Sequence, residues 1–158
     1  MKKSLVLLIL LFGISARAQT IPVIKIDGLE KILRSTEKEI LVVNFWATWC
    51  APCVKELPYF ESLYREKTAN REIILVSLDF VEKIDRVKSF VARKKIEAPV
   101  VLLDEIDYNS WIDKVDPSWE GAIPATLIVN TRTGQRKFVA KELEEEQLHE
   151  IIKEISKG

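Results

Sequence analysis

Residues 40–53 read Ile40-Leu41-Val42-Val43-Asn44-Phe45-Trp46-Ala47-Thr48-Trp49-Cys50-Ala51-Pro52-Cys53 and contain the only two cysteines of the 158-residue chain. The β-branched and aromatic residues up to Trp46 predict a buried strand. The sequence from Cys50 to about Tyr64 predicts a helix, which places Cys50 at the helix N-terminus. A cysteine pair at the point where a buried strand gives way to a helix indicates reversible dithiol chemistry.

The two cysteines differ in what their predicted positions allow them to do. Unpaired backbone N–H groups and the positive end of the helix dipole favour a negative charge at Cys50. Because the thiolate is the nucleophile in disulfide exchange, this position makes Cys50 reactive near neutral pH. Cys53 lies one helical turn further on, where it can attack a mixed disulfide formed by Cys50 and release the substrate.

Two other interpretations of the cysteine pair are less well supported. A zinc site needs about four ligands, but the chain has no third cysteine and a single histidine, His149. A purely structural disulfide is the second alternative. A bridge that closes so short a loop constrains the unfolded chain little, so it would contribute little stability.

The first 18 residues have the pattern of a cleavable secretory leader. Two lysines precede an apolar run from Leu5 to Ile14, and the small-x-small form of a signal-peptidase site follows in Ala16-Arg17-Ala18. A membrane span needs about 20 apolar residues, so this run is too short for an anchor. Cleavage after Ala18 leaves residues 19–158, the size of one domain, and no cysteine stands at the cut as a lipoprotein would require.

The composition of the mature chain argues against several classes of protein. Loss of the leader leaves 21 of the 24 basic residues against 24 acidic ones, a formal charge of −3, which does not suggest nucleic acid binding. An exported chain with one closely spaced cysteine pair also differs from a secreted scaffold stapled by several disulfides. The cysteine pair is therefore interpreted as a working site. The leader suggests a bacterial periplasm, although a secretory signal also fits other exported destinations, and the chain is expected to be a monomer without cofactor or metal.

Beyond the cysteine helix, apolar patterns continue to alternate between strand and helix periods, which implies a parallel sheet with crossover helices. Before the 40–53 stretch the sequence predicts a first helix capped by Asp27, and after it a buried strand over residues 73–78 and a helix with Ile84, Val87 and Val91 on one face. A short extra strand over 99–103 and an irregular or helical stretch over 108–115 follow. The chain then continues with a strand over 125–130, its antiparallel hairpin partner over 135–140, and a final helix from about Glu142 to Ile155.

This order resembles the thioredoxin fold over nearly all of the mature chain. Within that superfamily, residues 44–53 followed by Glu56 and Pro58 resemble the exported TlpA/ResA-type thiol-disulfide oxidoreductases. The resemblance implies an α/β fold with a central mixed β-sheet flanked by helices. It also implies an extra strand and helix, residues 99–115, inserted before the strand that begins with the family's cis-proline.

The resemblance carries site roles to several positions. Cys50 is the attacking thiol and Cys53 the resolving one. Pro124 matches the proline that family members hold in cis beside the cysteines, although an X-Pro bond is cis in only about 5% of cases in general. A cis bond would turn the Ile123 backbone toward a substrate, which could pair with it as an added strand. Trp49 and Ile123 are expected to form the apolar rim of this substrate groove. Pro52, in the first helical turn, is also assigned to substrate binding, and its rigidity is expected to affect the relative stability of dithiol and disulfide.

The proton acceptor is expected at an unusual position. Six residues before the first cysteine, where thioredoxins usually place a buried aspartate, this chain has Asn44, which cannot carry a proton. Glu56 is the candidate instead, because the spacing from Cys53 puts both on one helical face and TlpA/ResA-type proteins have a glutamate there. The alternative is an ordinary solvated helix glutamate.

The remaining conspicuous side chains are expected to be structural. Phe45, Trp46 and Trp111 are predicted to lie in the core. Trp119 is assigned either to the core or to the border of the substrate groove, because its segment leads to Pro124. His149 lies off the apolar stripe of the last helix and is predicted to be a solvated surface residue.

The function expected from these observations is exchange of disulfides through a Cys50 mixed disulfide, with reduction of disulfide-containing exported proteins. Such a reductant also needs a membrane or periplasmic electron donor. A thioredoxin-fold peroxidase is an alternative, but its usual pattern requires proline and threonine or serine where this chain has Val43 and Ala47. A non-enzymatic binding module that recruits partners through the groove at Ile123 and Pro124 is a second alternative.

Overall fold

The computed structural model describes residues 20–34 and 36–157. The predicted leader, residues 1–18, and its cleavage site lie outside this part of the chain. The described residues form an α/β fold with one mixed sheet. Its strands are β1 (Val23–Ile24), β2 (Ile40–Trp46), β3 (Arg71–Ser77), β4 (Val100–Leu103), β5 (Ala125–Asn130) and β6 (Arg136–Val139).

Helices cover both faces of the sheet. They are α1 (Ile26–Arg34), α2 (Ala51–Arg65), α3 (Ile84–Lys94), α4 (Ile112–Val115) and α5 (Glu145–Ile155), with short 3-10 turns at Val81–Lys83 and Tyr108–Ser110. None of the helices in the described ranges is long and apolar enough to cross a membrane. The predicted fold class, including the extra strand and helix before the proline strand, is confirmed.

The sheet order β1-β4-β3-β2-β5-β6 places β2 near the centre, and every residue of β2 is buried. Strands β1, β4, β3 and β2 run parallel, whereas β5 pairs with β2 in the antiparallel direction. Phe45 near the carboxyl end of β2 therefore lies opposite both Val76 of β3 and Ala125 at the start of β5. This register brings the loops after β2 and β3 and the residues before β5 to one edge of the sheet.

Each face of the sheet has its own apolar layer. On one face the residues of α2, α3 and α5 pack around Trp46 and Phe60, and on the other α1 and α4 cover an aromatic cluster. In that cluster Trp119 lies 4.7 Å from Phe45 and 5.5 Å from Phe138, measured between ring centroids. Trp119 is buried, and its indole N–H donates to the Ala122 carbonyl, so it belongs to the core and does not border a groove.

Two helix starts differ from the predicted ones. Asp27 does not cap α1 but lies within its first turn, because the turn begins where Gly28 and Leu29 N–H donate to the Lys25 carbonyl. Helix α5 begins at Glu145, later than the predicted Glu142, because Glu144 N–H bonds to the side chain of Gln147 and fixes the first turn there. Residues 142–144 are thereby left outside the helix.

Candidate active site

Cys50 and Cys53 form a disulfide at the start of α2. Cys50 is the N-cap residue, with an extended backbone, and its N–H donates to the Ala47 carbonyl in a tight turn. The Cys53 N–H points at Cys50 Sγ over 3.3 Å. Cys50 retains 6% exposure, whereas Cys53 is fully buried. A substrate can therefore reach the first sulfur, and a backbone donor is already in place for a negative charge on it.

The segment before β5 lies against this disulfide. The Ile123–Pro124 peptide bond is cis, as the resemblance implied. Pro124 is buried and Ile123 half-buried, and the Ile123 carbonyl oxygen lies 3.8 Å from Cys50 Sγ. Trp49, directly before Cys50, is 57% exposed. The structure thus brings together four of the predicted site residues, Trp49, Cys50, Ile123 and Pro124, at one edge of the sheet.

Glu56 is fully buried, which rules out the alternative of a solvated helix glutamate. Its Oε1 accepts a hydrogen bond from Asn44 Nδ2 at 2.7 Å, and its Oε2 accepts one from Leu143 N–H at 2.8 Å. Burial disfavours the ionised carboxylate and raises the pKa of Glu56 to about 7; the two donors work against this rise, and the nearby charge of Glu142 adds to it. Glu56 can therefore exchange a proton near neutral pH.

Asn44 connects Glu56 to the sheet. It is buried in β2, and its Nδ2 also contacts Thr126 Oγ1 at 3.1 Å. Among the described residues no group hydrogen-bonds to Asn44 Oδ1. The residue at the usual aspartate position therefore carries no proton itself, but it holds the carboxylate that can.

Residues 142–144, just before α5, are held by ion pairs at the surface and by a hydrogen bond to Glu56 in the interior. Lys55, the neighbour of Glu56 in α2, forms ion pairs with Glu142 and with Glu144, the latter at 3.3 Å. These surface contacts flank Leu143, whose buried N–H points inward to the Glu56 carboxylate. Sequence reasoning missed this donor, because a backbone N–H leaves no signal in the residue types around it.

A second buried carboxylate, Asp79, was also missed. It lies two residues after β3 and accepts hydrogen bonds from Thr48 N–H at 2.8 Å, from the Thr48 hydroxyl, and from Ser77 Oγ at 2.9 Å. Thr48 belongs to the short loop between β2 and Cys50, so Asp79 fastens the loop that carries the cysteines to the neighbouring strand end. The available signal was the position of Asp79 after a strand parallel and adjacent to β2.

Comparison with known proteins identifies the family of the chain. Residues 14–134 match the AhpC/TSA family. The chain belongs to the AhpC/TSA family. It is 30% identical over 145 residues to the thiol-disulfide oxidoreductase ResA of Bacillus thuringiensis subsp. konkukian, covering 90% of this chain and 79% of that one.

Solved structures agree with the fold. This AhpC/TSA family member matches a thioredoxin-related protein from Neisseria meningitidis serogroup B with a TM-score of 0.70 at 23% identity, over 80% of this chain and 91% of that one. It matches StoA from Bacillus subtilis with a TM-score of 0.56 at 27% identity, over 73% and 83% of the two chains. With the ResA relatives and the Cys50–Cys53 pair, the chain is a thiol-disulfide oxidoreductase, and the predicted resemblance is confirmed.

Two further residues considered in the sequence analysis, His149 and Pro52, lie away from the cysteine pair or at the margin of the site. His149 is on α5, half-exposed, with its Nε2 3.8 Å from Glu66 Oε1, as expected of a surface histidine. Pro52 stands in the first turn of α2, where no hydrogen bond is lost. In the part of the chain that the structure describes, no group of three or more histidine, cysteine, aspartate or glutamate side chains is arranged to hold a metal.

Proposed function

We propose that the chain is an exported thiol-disulfide oxidoreductase that reduces disulfides in other exported proteins. The observation that best supports this is the asymmetry of the cysteine pair: Cys50 caps α2 beside the Ile123 carbonyl and keeps some exposure, while Cys53 is fully buried behind it. An inert structural bridge has no need of this asymmetry.

In the proposed reaction the reduced enzyme transfers two electrons to a substrate disulfide. The Cys50 thiolate attacks one substrate sulfur, the substrate S–S bond breaks, and the departing thiolate takes up a proton. Cys53 then loses its proton and attacks Cys50 Sγ, which breaks the mixed disulfide and releases the second substrate sulfur as a thiolate that takes up a proton. The product is the Cys50–Cys53 disulfide, which a membrane or periplasmic dithiol donor must reduce before the next cycle.

Glu56 is proposed to take the Cys53 proton during the second step. It lies one turn beyond Cys53 on the same helical face, and its pKa of about 7 populates both of its protonation states near neutral pH. Asn44 suits both states. Its Nδ2 donates to the carboxylate, and after rotation of the amide its unpaired Oδ1 could accept the O–H of the acid.

Substrate binding is proposed to use the groove beside Cys50. A polypeptide segment would pair with the Ile123 backbone as an added strand, with Pro124 shaping the floor and Trp49 and Pro52 bordering the sulfur. The exposed ring of Trp49 supports this assignment. The enzyme is proposed to act as a monomer, without cofactor or metal.

Export is proposed from the sequence of residues 1–18, with a single thioredoxin-like domain over residues 19–158 and a periplasmic location. N-terminal sequencing of protein recovered from the periplasm of an expressing bacterium tests this part. We expect the mature chain to begin at Gln19. Recovery of the uncleaved chain from the cytoplasm would contradict the proposed leader.

The reductase activity is tested by measuring the reduction potential of the cysteine pair together with turnover of insulin disulfides under a dithiol donor. We expect a reducing potential and turnover that Cys50→Ser abolishes. A strongly oxidising potential would reverse the proposed direction. Binding of partners without any turnover would favour the binding module, and turnover of peroxide in place of disulfides would favour the peroxidase.

A further inference from the structure

Two aromatic side chains are exposed at the edge of the sheet that carries the disulfide. Trp49, before Cys50, is 57% exposed, and Phe80, three residues after β3, is 61% exposed. Other phenylalanines in the described ranges behave differently, since Phe45 and Phe60 are fully buried. Because β2 and β3 are adjacent and parallel, the loops that hold Trp49 and Phe80 leave the sheet side by side.

The backbone beneath both rings is fixed. Thr48 immediately precedes Trp49, and Asp79 immediately precedes Phe80, and these two residues are joined by two hydrogen bonds. After Phe80 the backbone is held as well. The Phe80 carbonyl accepts a hydrogen bond from Lys83 N–H at 2.8 Å, and Val81 packs against the core. The backbone that carries the two exposed rings is therefore held in place by hydrogen bonds on both loops.

This arrangement leaves apolar surface uncovered at the edge of the sheet that carries the reactive sulfur. Full burial of a phenylalanine side chain contributes about 1.5–3 kcal/mol, and the fold forgoes most of this at Phe80. Aromatic side chains on rigid backbone are the usual anchors of protein interfaces, because they bring a large contact area at a small entropic cost.

We propose that Trp49 and Phe80 form an apolar docking surface for the chain segment that flanks the target disulfide, and that Phe80 determines specificity. The proposal rests on the proposed reductase function. Its occupant is a disulfide-containing polypeptide with an exposed apolar residue beside one of its cysteines. This follows from continuity with the redox pair: a substrate sulfur must come within bonding distance of Cys50, so the residues next to that sulfur must lie over the same edge of the sheet.

The test compares two peptides that each contain one disulfide and differ only in having leucine or serine beside a cysteine. The measured quantity is the preference, the ratio of kcat/KM for the leucine peptide to kcat/KM for the serine peptide. We expect the wild-type enzyme to prefer leucine and Phe80→Ala to lower this preference about tenfold, which corresponds to about 1.4 kcal/mol. Phe80→Tyr, which keeps the ring, should retain the preference.

Tyr64 supplies a matched control. It is an exposed aromatic residue, 37% accessible, near the far end of α2, away from the cysteines. Tyr64→Ala should leave the preference as it is. A wild-type preference near one, or a preference that Phe80→Ala does not lower, would overturn the docking surface while leaving the reductase function in place. Failure of the wild-type enzyme to reduce either peptide would instead overturn the proposed function, and the docking surface with it.

Discussion

The side-chain amide of Asn44 donates a hydrogen bond to Glu56 Oε1 over 2.7 Å, between two fully buried groups. The bond joins the central strand to the helix that carries the cysteines. The two residues have different roles: Asn44 holds the carboxylate in place through this hydrogen bond, and Glu56 is the titratable group. A single aspartate at the position of Asn44 could combine the two roles. Leu143 N–H completes the surroundings of the carboxylate from a third part of the chain.

Glu56→Gln is expected to change the pH dependence of disulfide exchange. The substitution keeps the size and polarity of the side chain but removes its proton-carrying capacity, which in the wild type is centred at about pH 7. We expect the pH-rate profile between about pH 5 and 9 to lose a transition near neutrality. Coupling between the carboxylate and the thiols would shift the thiol titration as well. Superimposable profiles would remove Glu56 from the mechanism.

The contribution of Glu56 to the stability of the oxidised protein should fall as pH rises toward neutrality. The folded chain holds the Glu56 proton with a pKa of about 7, against 4.5 for the ordinary group, so the stabilising contribution of this group is complete below about pH 4.5. One pKa unit corresponds to about 1.4 kcal/mol, so the contribution lost between about pH 4.5 and pH 7 is roughly 3 kcal/mol. Urea unfolding of wild type and Glu56→Gln across this range isolates it as a difference.

A surface substitution provides the control for that measurement. Glu150 is exposed on α5, so Glu150→Gln should follow the wild-type dependence on pH. If Glu56→Gln also followed it, Glu56 would not be the group that titrates near neutrality.

The two cysteines should behave differently when each is removed. In Cys53→Ala, Cys50 can still attack a substrate disulfide, but no second thiol of the enzyme can release the bound substrate. Mixed disulfides with substrates should therefore accumulate. Cys50→Ala should accumulate none, because the remaining thiol is fully buried. Non-reducing electrophoresis after mixing with a disulfide substrate measures both. Equal trapping by the two variants would contradict the assignment of attacking and resolving thiols.

Asp79→Ala is expected to destabilise the protein by about 2 kcal/mol. It leaves two donors of Thr48 and the hydroxyl of Ser77 without their buried acceptor, and an unsatisfied buried donor costs about 1–3 kcal/mol. Chemical denaturation measures the loss. Asp113, an exposed aspartate in α4, is the matched control. A loss no larger than that of Asp113→Ala would show that the loop before Cys50 does not depend on Asp79.

The sequence predicted those parts of the molecule whose cause is local. Residues 40–46 form a strand because they are β-branched and aromatic, and Cys50 caps α2 because the helix pattern starts after it. The cis bond at Pro124 was predicted from the resemblance alone. Composition offers no reason for it.

What was not predicted depends on residues that meet only in the folded chain. Asp79 reaches Thr48 across 31 residues of sequence, and Leu143 reaches Glu56 across 87. The two-residue strand β1 was missed because so short a segment carries no periodicity. The late start of α5 belongs to the same group, since the residues that it leaves out of the helix include the donor to Glu56.

The separation between Cys50 and Ile123, 73 residues, sets an order of events during biosynthesis. A ribosome delivers both thiols well before it delivers the proline that lies against them, and Leu143 follows later still. A nascent chain that has just emerged through β3 thus exposes two cysteines that have neither the Ile123–Pro124 segment beside them nor the completed surroundings of Glu56. The surroundings of the cysteine pair are complete only when the carboxyl-terminal part has been made and has packed against it.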